Sequence, residues 1–407
     1  DHQTRAMSEV PNPAISVGII GTDPAALTLA LACRLHGLSC HLYETIPEPA
    51  QIDPVVELTA NATRVLHSLG LRERLASELL EPMYSLTRTA RGALLLSQRP
   101  LGPFSAARYG ATCHLTSRGQ LIRLLRNACE AEGVIIRPAG TPITTIDDKT
   151  GTLRFADGTV QEHDIIAQAV HLPSSIQTDF PDSRNASAAG EAPPSSTPGA
   201  AFTVLRANSS HPGNPQAVQM WCASGMGVIE YPRESGCQLL AVFSGASENS
   251  NGKAFLQDRL AGLHPQLRKL ADGLLEVSPM TGCNSEPLSQ WFNHRRVLLG
   301  DACHPLPAHA TQAIAAGIED AWVLATMLER WESTPARGFP DYQRFRRPRV
   351  LRIRNHALEQ ARQQTLSQPR EVWLRNFRWS MTSRFLPEIA MSNDDWLFGY
   401  DCIKGFV

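Results

Sequence analysis

The pattern of strands and helices predicts an α/β chain: a dinucleotide-binding, Rossmann-like unit, an inserted β-sheet domain and a block of C-terminal helices. Three observations predict it. An apolar run, Ile15–Ile20, meets Gly21, a helical pattern and then a second strand that ends on an acid. Strand-like alternation fills 202–245, and helical patterning dominates from Pro340 onward.

Each element has its own signal. After Gly21, Leu27, Ala30, Leu31 and Leu35 keep helical spacing, and Gly37 sits where a helix C-terminal glycine belongs. Cys40–Glu44 is the next strand, and 61–69 is a helix closed by Gly70. Ser117 is placed to cap a helix whose apolar face is Leu121, Leu124, Leu125 and Ala128, ending at Gly133. Asp157-Gly158 signals a hairpin within 153–160, and 164–170 is a further strand. Residues 181–201, rich in Pro, Ser, Ala and Gly, read as a flexible loop. Val218, Met220, Trp221, Val228, Ile229, Tyr231, Leu239, Leu240 and Val242 mark the second sheet. A buried strand over 296–299 leads into Gly300-Asp301, and a long helix is expected from Thr311 to Trp331.

The expected division is 14–80, 111–180 and 293–335 for the dinucleotide-binding part. Residues 81–110 and 202–292 form the substrate domain, and 336–407 the C-terminal helices. Met7 is a candidate start, with Asp1–Ala6 left over from expression.

With 407 residues, 43% of them hydrophobic, the chain can bury two domain cores. A net charge of -1 gives no reason to expect nucleic acid. The arginines 344, 346, 347, 349, 352 and 354 lack aromatic companions and are read as the solvated face of a helix. Nine cysteines without metal-ligand or disulfide spacing read as reduced thiols. No apolar run spans a bilayer and no leader pattern precedes the first strand, so no membrane span, no metal and a cytoplasmic location are expected.

Several segments together resemble a known family. Gly21-Thr22-Asp23-Pro24-Ala25-Ala26, Glu44 and Arg118-Gly119-Gln120-Leu121 are similar to the first domain of FAD-dependent aromatic-hydroxylase-like monooxygenases. Gly300-Asp301-Ala302-Cys303-His304-Pro305 and Ile318-Glu319-Asp320-Ala321 resemble their second flavin-binding segment. Arg346-Arg347-Pro348-Arg349 and Trp396–Asp401 resemble the C-terminal helices of salicylate-hydroxylase-like fungal members. The resemblance runs in order from Ile15 to Asp401. It implies the aromatic hydroxylase fold, with Gly21, Asp23, Glu44, Arg118 and Asp301 at the FAD positions. Each survivor also has a plain structural reading: a solvated acid for Glu44, a helix cap for Asp301, a carboxylate partner for Arg118.

Departures from the family pattern shape the functional expectation. Asp23 and Ala26 replace glycines of the phosphate-binding turn, and a carboxylate there opposes a diphosphate. Gln168-Ala169-Val170-His171 stands where the family has a Gly-Ala-Asp-Gly segment. Gln312-Ala313-Ile314-Ala315 stands for its Gln-Gly-Ala-Asn, and Asp53-Pro54-Val55-Val56 for a glycine-rich turn. These bulkier residues lead to the expectation that no FAD is bound, with FAD and NADPH as the alternative cofactors.

The leading expectation is therefore a cofactor-independent cyclase or isomerase, such as a Diels–Alderase of natural-product biosynthesis, acting on an apolar polyketide or terpenoid. An FAD-dependent monooxygenase hydroxylating an aromatic or polyketide substrate is the alternative, and a non-catalytic small-molecule-binding relative is the third. Candidate polar groups are His309 and Gln312, then His304, whose plainer role is structural, with Trp221, Glu230 and Tyr231 from the second sheet. His171 is placed to enter the vacated space or solvent, and Cys303 has no signal for activation.

Overall fold

β1 (Ser16–Ile20) runs through the middle of a six-stranded sheet: Val17 and Ile19 pack into the helical core on one face, Ile20 packs with Ile143, Ile146 and Leu153 on the other, and none of the three is exposed. The computed structural model describes residues 15–45, 52–173, 175–178, 180, 202–245, 252–280 and 286–406. The expected loop 181–201 and the candidate start at Met7 lie outside the described residues. Beside β1 lie β2 (Ser39–Tyr43) and β7 (Ile135–Arg137) on one side, and β11 (Ile165–Gln168), β19 (Arg296–Leu298) and β18 (Phe292–Asn293) on the other. All pair in parallel except β18. The chain leaves β1 toward β2 on one side and returns to β11 on the other, so a crevice opens at the carboxyl end of β1.

α1 (Pro24–Leu35) starts at that crevice. Asp23 caps it, Pro24 takes the first-turn position, and every residue from Pro24 to Cys33 is buried. A helix apolar all round must be enclosed. α1 does so between α5 (Arg118–Ala131) and α8 (Ala313–Arg330). The approach to α8 is close: a Cβ on Gly317 would lie 2.9 Å from the Ala25 Cβ. α5 begins as expected, with Ser117 Oγ accepting the Gln120 N–H at 3.1 Å, and its apolar face is the anticipated one. The expected helix 311–331 is shorter at both ends, because Thr311 and Gln312 form a turn before Ala313.

The second sheet has seven strands in the order β17 (Leu274–Pro279), β13 (Phe202–Ser209), β16 (Cys237–Ser244), β15 (Met226–Pro232), β14 (Ala217–Ala223), β4 (Tyr84–Thr89) and β5 (Leu95–Pro100). Only the β14–β4 pair is parallel. Strand alternation divides its side chains. Leu205, Ala207, Trp221, Val228 and Leu239 pack beneath α6 (Lys253–Ala261) and α7 (Pro265–Asp272). Val204, Val218, Ile229, Tyr231 and Leu240 point the other way, with Ala361 of α9 (Phe339–Gln364) among their neighbours.

A two-stranded ribbon, β3 (Val55–Leu58) with β6 (His114–Ser117), leads into α2 (Ala60–Ser68) and α3 (Arg72–Glu78). β8 (Ile143–Asp147), β9 (Thr152–Phe155), β10 (Val160–Glu162) and β12 (Gln177–Thr178) make a small outer sheet, with Asp157-Gly158 in the predicted hairpin turn. α4 (Pro103–Tyr109) follows β5, and α10 (Pro369–Phe385), α11 (Pro387–Ser392) and α12 (Asp395–Phe398) complete the chain. Among the described residues, no helix is long and apolar enough to cross a membrane.

The arginine-rich segment departs from expectation. Arg344 and Arg352 are exposed, but Arg346, Arg349 and Arg354 are buried. The reason lies on α8, whose Glu319 and Asp320 are themselves buried and take their counter-charges from α9.

Candidate functional site

At the carboxyl end of β1 the backbone turns on Gly21, whose φ of +118° disfavours any side chain, and the Gly21 N–H donates to the Tyr43 carbonyl at 2.9 Å. Val170 packs against this turn, so a Cβ on Gly21 would meet its Cγ1 at 2.9 Å. Beyond it lies a cleft lined by Asp23, Pro24, Arg118, Gly300, Asp301 and Ile314, among others. The N-terminus of α1 offers this cleft free N–H groups and a partial positive charge. Asp23 answers part of that field itself, its Oδ1 accepting the Ala26 N–H at 3.2 Å.

Asp23 is only partly exposed, and burial pushes its carboxyl up to about 7, helped by the negative charge of Asp301 and opposed by the Ala26 N–H and Arg118. Arg118 forms no side-chain hydrogen bond or ion pair among the described residues, so its guanidinium is available to the cleft. Asp301 is exposed in the short turn Gly300–Ala302, which Gly300 enters with φ +58°. It is not the cap of α8, because Gln312 occupies that position. Glu44 follows β2 and pairs with Arg126 of α5, so it is neither free nor merely solvated.

Below the cleft a charged cluster is fully enclosed. Asp320 accepts the Gly300 N–H at 3.0 Å and the Arg346 Nε–H at 2.6 Å, and it contacts His304. Burial would raise its pKa, but His304 and Arg346 outweigh that and hold it at about 2. Glu319 accepts from Arg349 at 2.7 Å and from Asn61 at 2.7 Å. His304 is therefore a buried structural partner and does not line the cleft. Burial drives the Cys303 thiol well above its ordinary range, consistent with an inert role.

Gln312 is buried at the start of α8, donating to Thr59 Oγ1 at 2.9 Å. His309 is also buried. Its Nε2 lies 3.2 Å from the Ala357 carbonyl, its ring meets Phe202 edge-on at 5.5 Å, and burial lowers its pKa. Of the three candidates on the second sheet, only Tyr231 faces the cofactor side. Trp221 and Glu230 do not line the cleft. Trp221 packs beneath α6 and α7, and its Nε1–H donates to Glu230 at 3.0 Å on that far face. Adjacent residues of a strand point to opposite faces, so Glu230 and Tyr231 cannot both enter one cavity. His171 is exposed.

The sequence reading passed over Glu57 and Arg206, and took Asp53 as part of a replaced glycine-rich turn. Asp53 accepts the Gly119 N–H at 3.0 Å and so serves the N-terminus of α5. Glu57 is a lone acid in the apolar strand Val55–Leu58, a signal that was available. Arg206 lies half-buried on β13 with no ion pair among the described residues.

The FAD binding domain family model matches residues 14–356. The chain belongs to that family, whose members include aromatic-hydroxylase-like monooxygenases. It is 27% identical to 6-hydroxynicotinate 3-monooxygenase of Bordetella bronchiseptica over 95% of this chain and 94% of that protein. It is 26% identical to 3-amino-4-hydroxybenzoate 2-monooxygenase of Streptomyces cremeus, over 84% and 86% respectively. The solved HpxO of Klebsiella pneumoniae, in complex with FAD and uric acid, has a TM-score of 0.72 at 20% identity and covers 93% of this chain and 96% of that one.

These findings correct two expectations. Family membership over most of the chain overturns the absence of FAD, and relatives named as monooxygenases overturn the cofactor-free cyclase or isomerase, the Diels–Alderase included. The bulkier residues that replace the family's glycines leave the cleft open. The cleft keeps an unpaired guanidinium, two helix N-termini and an exposed acid around one space. That donor set fits a cofactor with a diphosphate and a polyhydroxyl chain. Asp23 is the discordant group, and with its pKa near 7 it is neutral over half the time at slightly acid pH.

Proposed function

We propose that this chain is an FAD-dependent monooxygenase that hydroxylates an aromatic or polyketide substrate, with NADPH as electron donor. The observation that carries this reading is the cleft between the N-termini of α1 and α8, lined by Asp23, Arg118 and Asp301, in a chain matched to FAD-binding proteins over 14–356. Bound there, the flavin would take two electrons from NADPH and let O2 place one oxygen atom on the substrate, the other leaving as water.

The chain's own residues bind, orient and exclude water. In this reading Arg118 and the N-terminus of α1 neutralise the diphosphate, Asp301 accepts from the hydroxyl chain, and Glu44, already fixed by Arg126, faces the adenosine end. Ala313 and Ile314 bring the first turn of α8 to the ring. Gln312 holds that turn against Thr59, while His309, Phe202 and Tyr231 form the dry wall on the sheet side. The segments 14–80, 111–180 and 293–335 would bind the cofactor, with 81–110 and 202–292 covering the substrate.

The test is direct. The protein should purify yellow, or take up stoichiometric FAD, and should oxidise NADPH with O2 consumption when an aromatic substrate is supplied, giving a product heavier by one oxygen. A colourless protein that neither takes up FAD nor oxidises NADPH would sink the proposal.

A further inference from the structure

A second pocket lies against β3, lined by Glu57, Arg99, Phe104, Tyr109, Met391 and Phe398, among others. Thr59 also lines it, and Thr59 accepts the hydrogen bond from Gln312 that holds the start of α8 beside the cofactor cleft. Thr59 thus joins the wall of this pocket to Gln312, whose neighbour Ala313 lines the cofactor cleft. We propose that this cavity is the substrate chamber, and that Glu57 selects an aromatic compound carrying an ammonium or another N–H donor over an aromatic acid. The inference rests on the monooxygenase reading for the word substrate, but the binding preference stands on this geometry alone.

Among the described residues, Thr59, Arg99, Ser105 and Tyr109 of the lining have polar partners, whereas Glu57 and the Ser85 hydroxyl are left short of them. Arg99 pairs with Asp394 and lies 5.2 Å over the Phe398 ring. The Tyr109 hydroxyl donates to Asp395 at 2.7 Å, and Arg108 pairs with the same carboxylate. Among the described residues, the hydrogen-bond partner of Glu57 is the Cys113 thiol, with Sγ 4.0 Å from Oε1. A carboxylate accepts at about four lone-pair positions, so most of its capacity is unmet. Burial raises its pKa and Arg99 opposes that, as expected of an acid short of partners. Arg206, the half-buried cation of β13, acts on the Tyr231 hydroxyl but is not part of the lining.

The remaining walls are aromatic and thioether surface, suited to one face of a flat ring. A ligand carboxylate would place a second negative charge beside Glu57 with no uncommitted cation in the lining. An ammonium or ring N–H there would instead gain a charge-assisted hydrogen bond.

Isothermal titration of the purified holoprotein with tryptamine, indole-3-propionate and 3-methylindole tests this, since the three share a ring and differ in the charge they carry. Tryptamine should bind at least about tenfold tighter than the acid. Glu57→Gln should erase that advantage, and if that variant fails to fold, the ratio measured on the unaltered protein still decides. Equal affinities, preference for the acid, survival of the preference in Glu57→Gln, or no binding by any of the three would overturn the proposal. Flavin absorbance of the same samples reports separately. A colourless protein that still prefers the amine would end the monooxygenase reading and leave this site standing.

Discussion

Asp23 and Asp320 flank the same Gly300-Asp301 turn, yet they are perturbed in opposite directions. Asp320 accepts from the Gly300 backbone, contacts His304 and is gripped by Arg346, and those charges hold it at about 2 despite burial. Asp23 has the Ala26 N–H and a more distant Arg118, and burial with Asp301 lifts it to about 7. What separates them is partners, not depth. An acid whose lone pairs are all met belongs to the scaffold, whereas one left short of partners at a cleft mouth faces the place a ligand would fill.

The sharpest way to break the comparison is to remove the grip on Asp320. Arg346 has no exposure and pairs with both Glu319 and Asp320 at 2.7 and 2.6 Å. Arg346→Ala leaves buried charge uncompensated and should cost about 3–5 kcal/mol of stability, read as a lower midpoint in urea unfolding. Arg346→Lys should recover only part, because one ammonium cannot match the geometry of a planar fork.

A smaller effect follows from pH. Asp320 has a lower pKa folded than unfolded, so its contribution is present above about 4 and is lost as pH falls toward about 2. The difference from its ordinary 3.8 corresponds to about 2 kcal/mol, which Asp320→Asn should remove from the acid limb of a stability–pH curve. An unchanged acid limb would show that other carboxylates dominate it.

Much of this was legible in the sequence, for physical reasons that differ by element. α1 and α5 were readable because caps, apolar spacing and terminal glycines all agreed locally. The buried half of the arginine segment was not, since its partners Glu319 and Asp320 stand about one helix away in sequence and nothing local marks them as buried. Trp221 and Glu230 were misplaced because alternation fixes that neighbours diverge but not which face meets the cofactor side. At the cleft, single replacements such as Asp23 and Ile314 were visible, but their joint effect depends on the retained Arg118 and helix N-termini, which only the fold assembles.

The smallest expected effect sharpens the comparison from the Asp23 side. An acid with a raised folded pKa holds a proton that the unfolded chain has lost, so between about 4 and about 7 its contribution to stability falls as pH rises. The same titration sets the sign for cofactor binding. Below about 7 Asp23 is mostly neutral and can donate to a phosphate oxygen. Above it, the ionised carboxylate adds to Asp301 against the charge of Arg118. Two like charges about 4 Å apart repel by ~1 kcal/mol in water, so FAD affinity should weaken about fivefold as pH rises through that value. Asp23→Asn should flatten the dependence and bind FAD more tightly on the alkaline side, measured by quenching of flavin fluorescence. A wild-type affinity independent of pH would place the diphosphate away from Asp23 and remove the functional half of the contrast with Asp320.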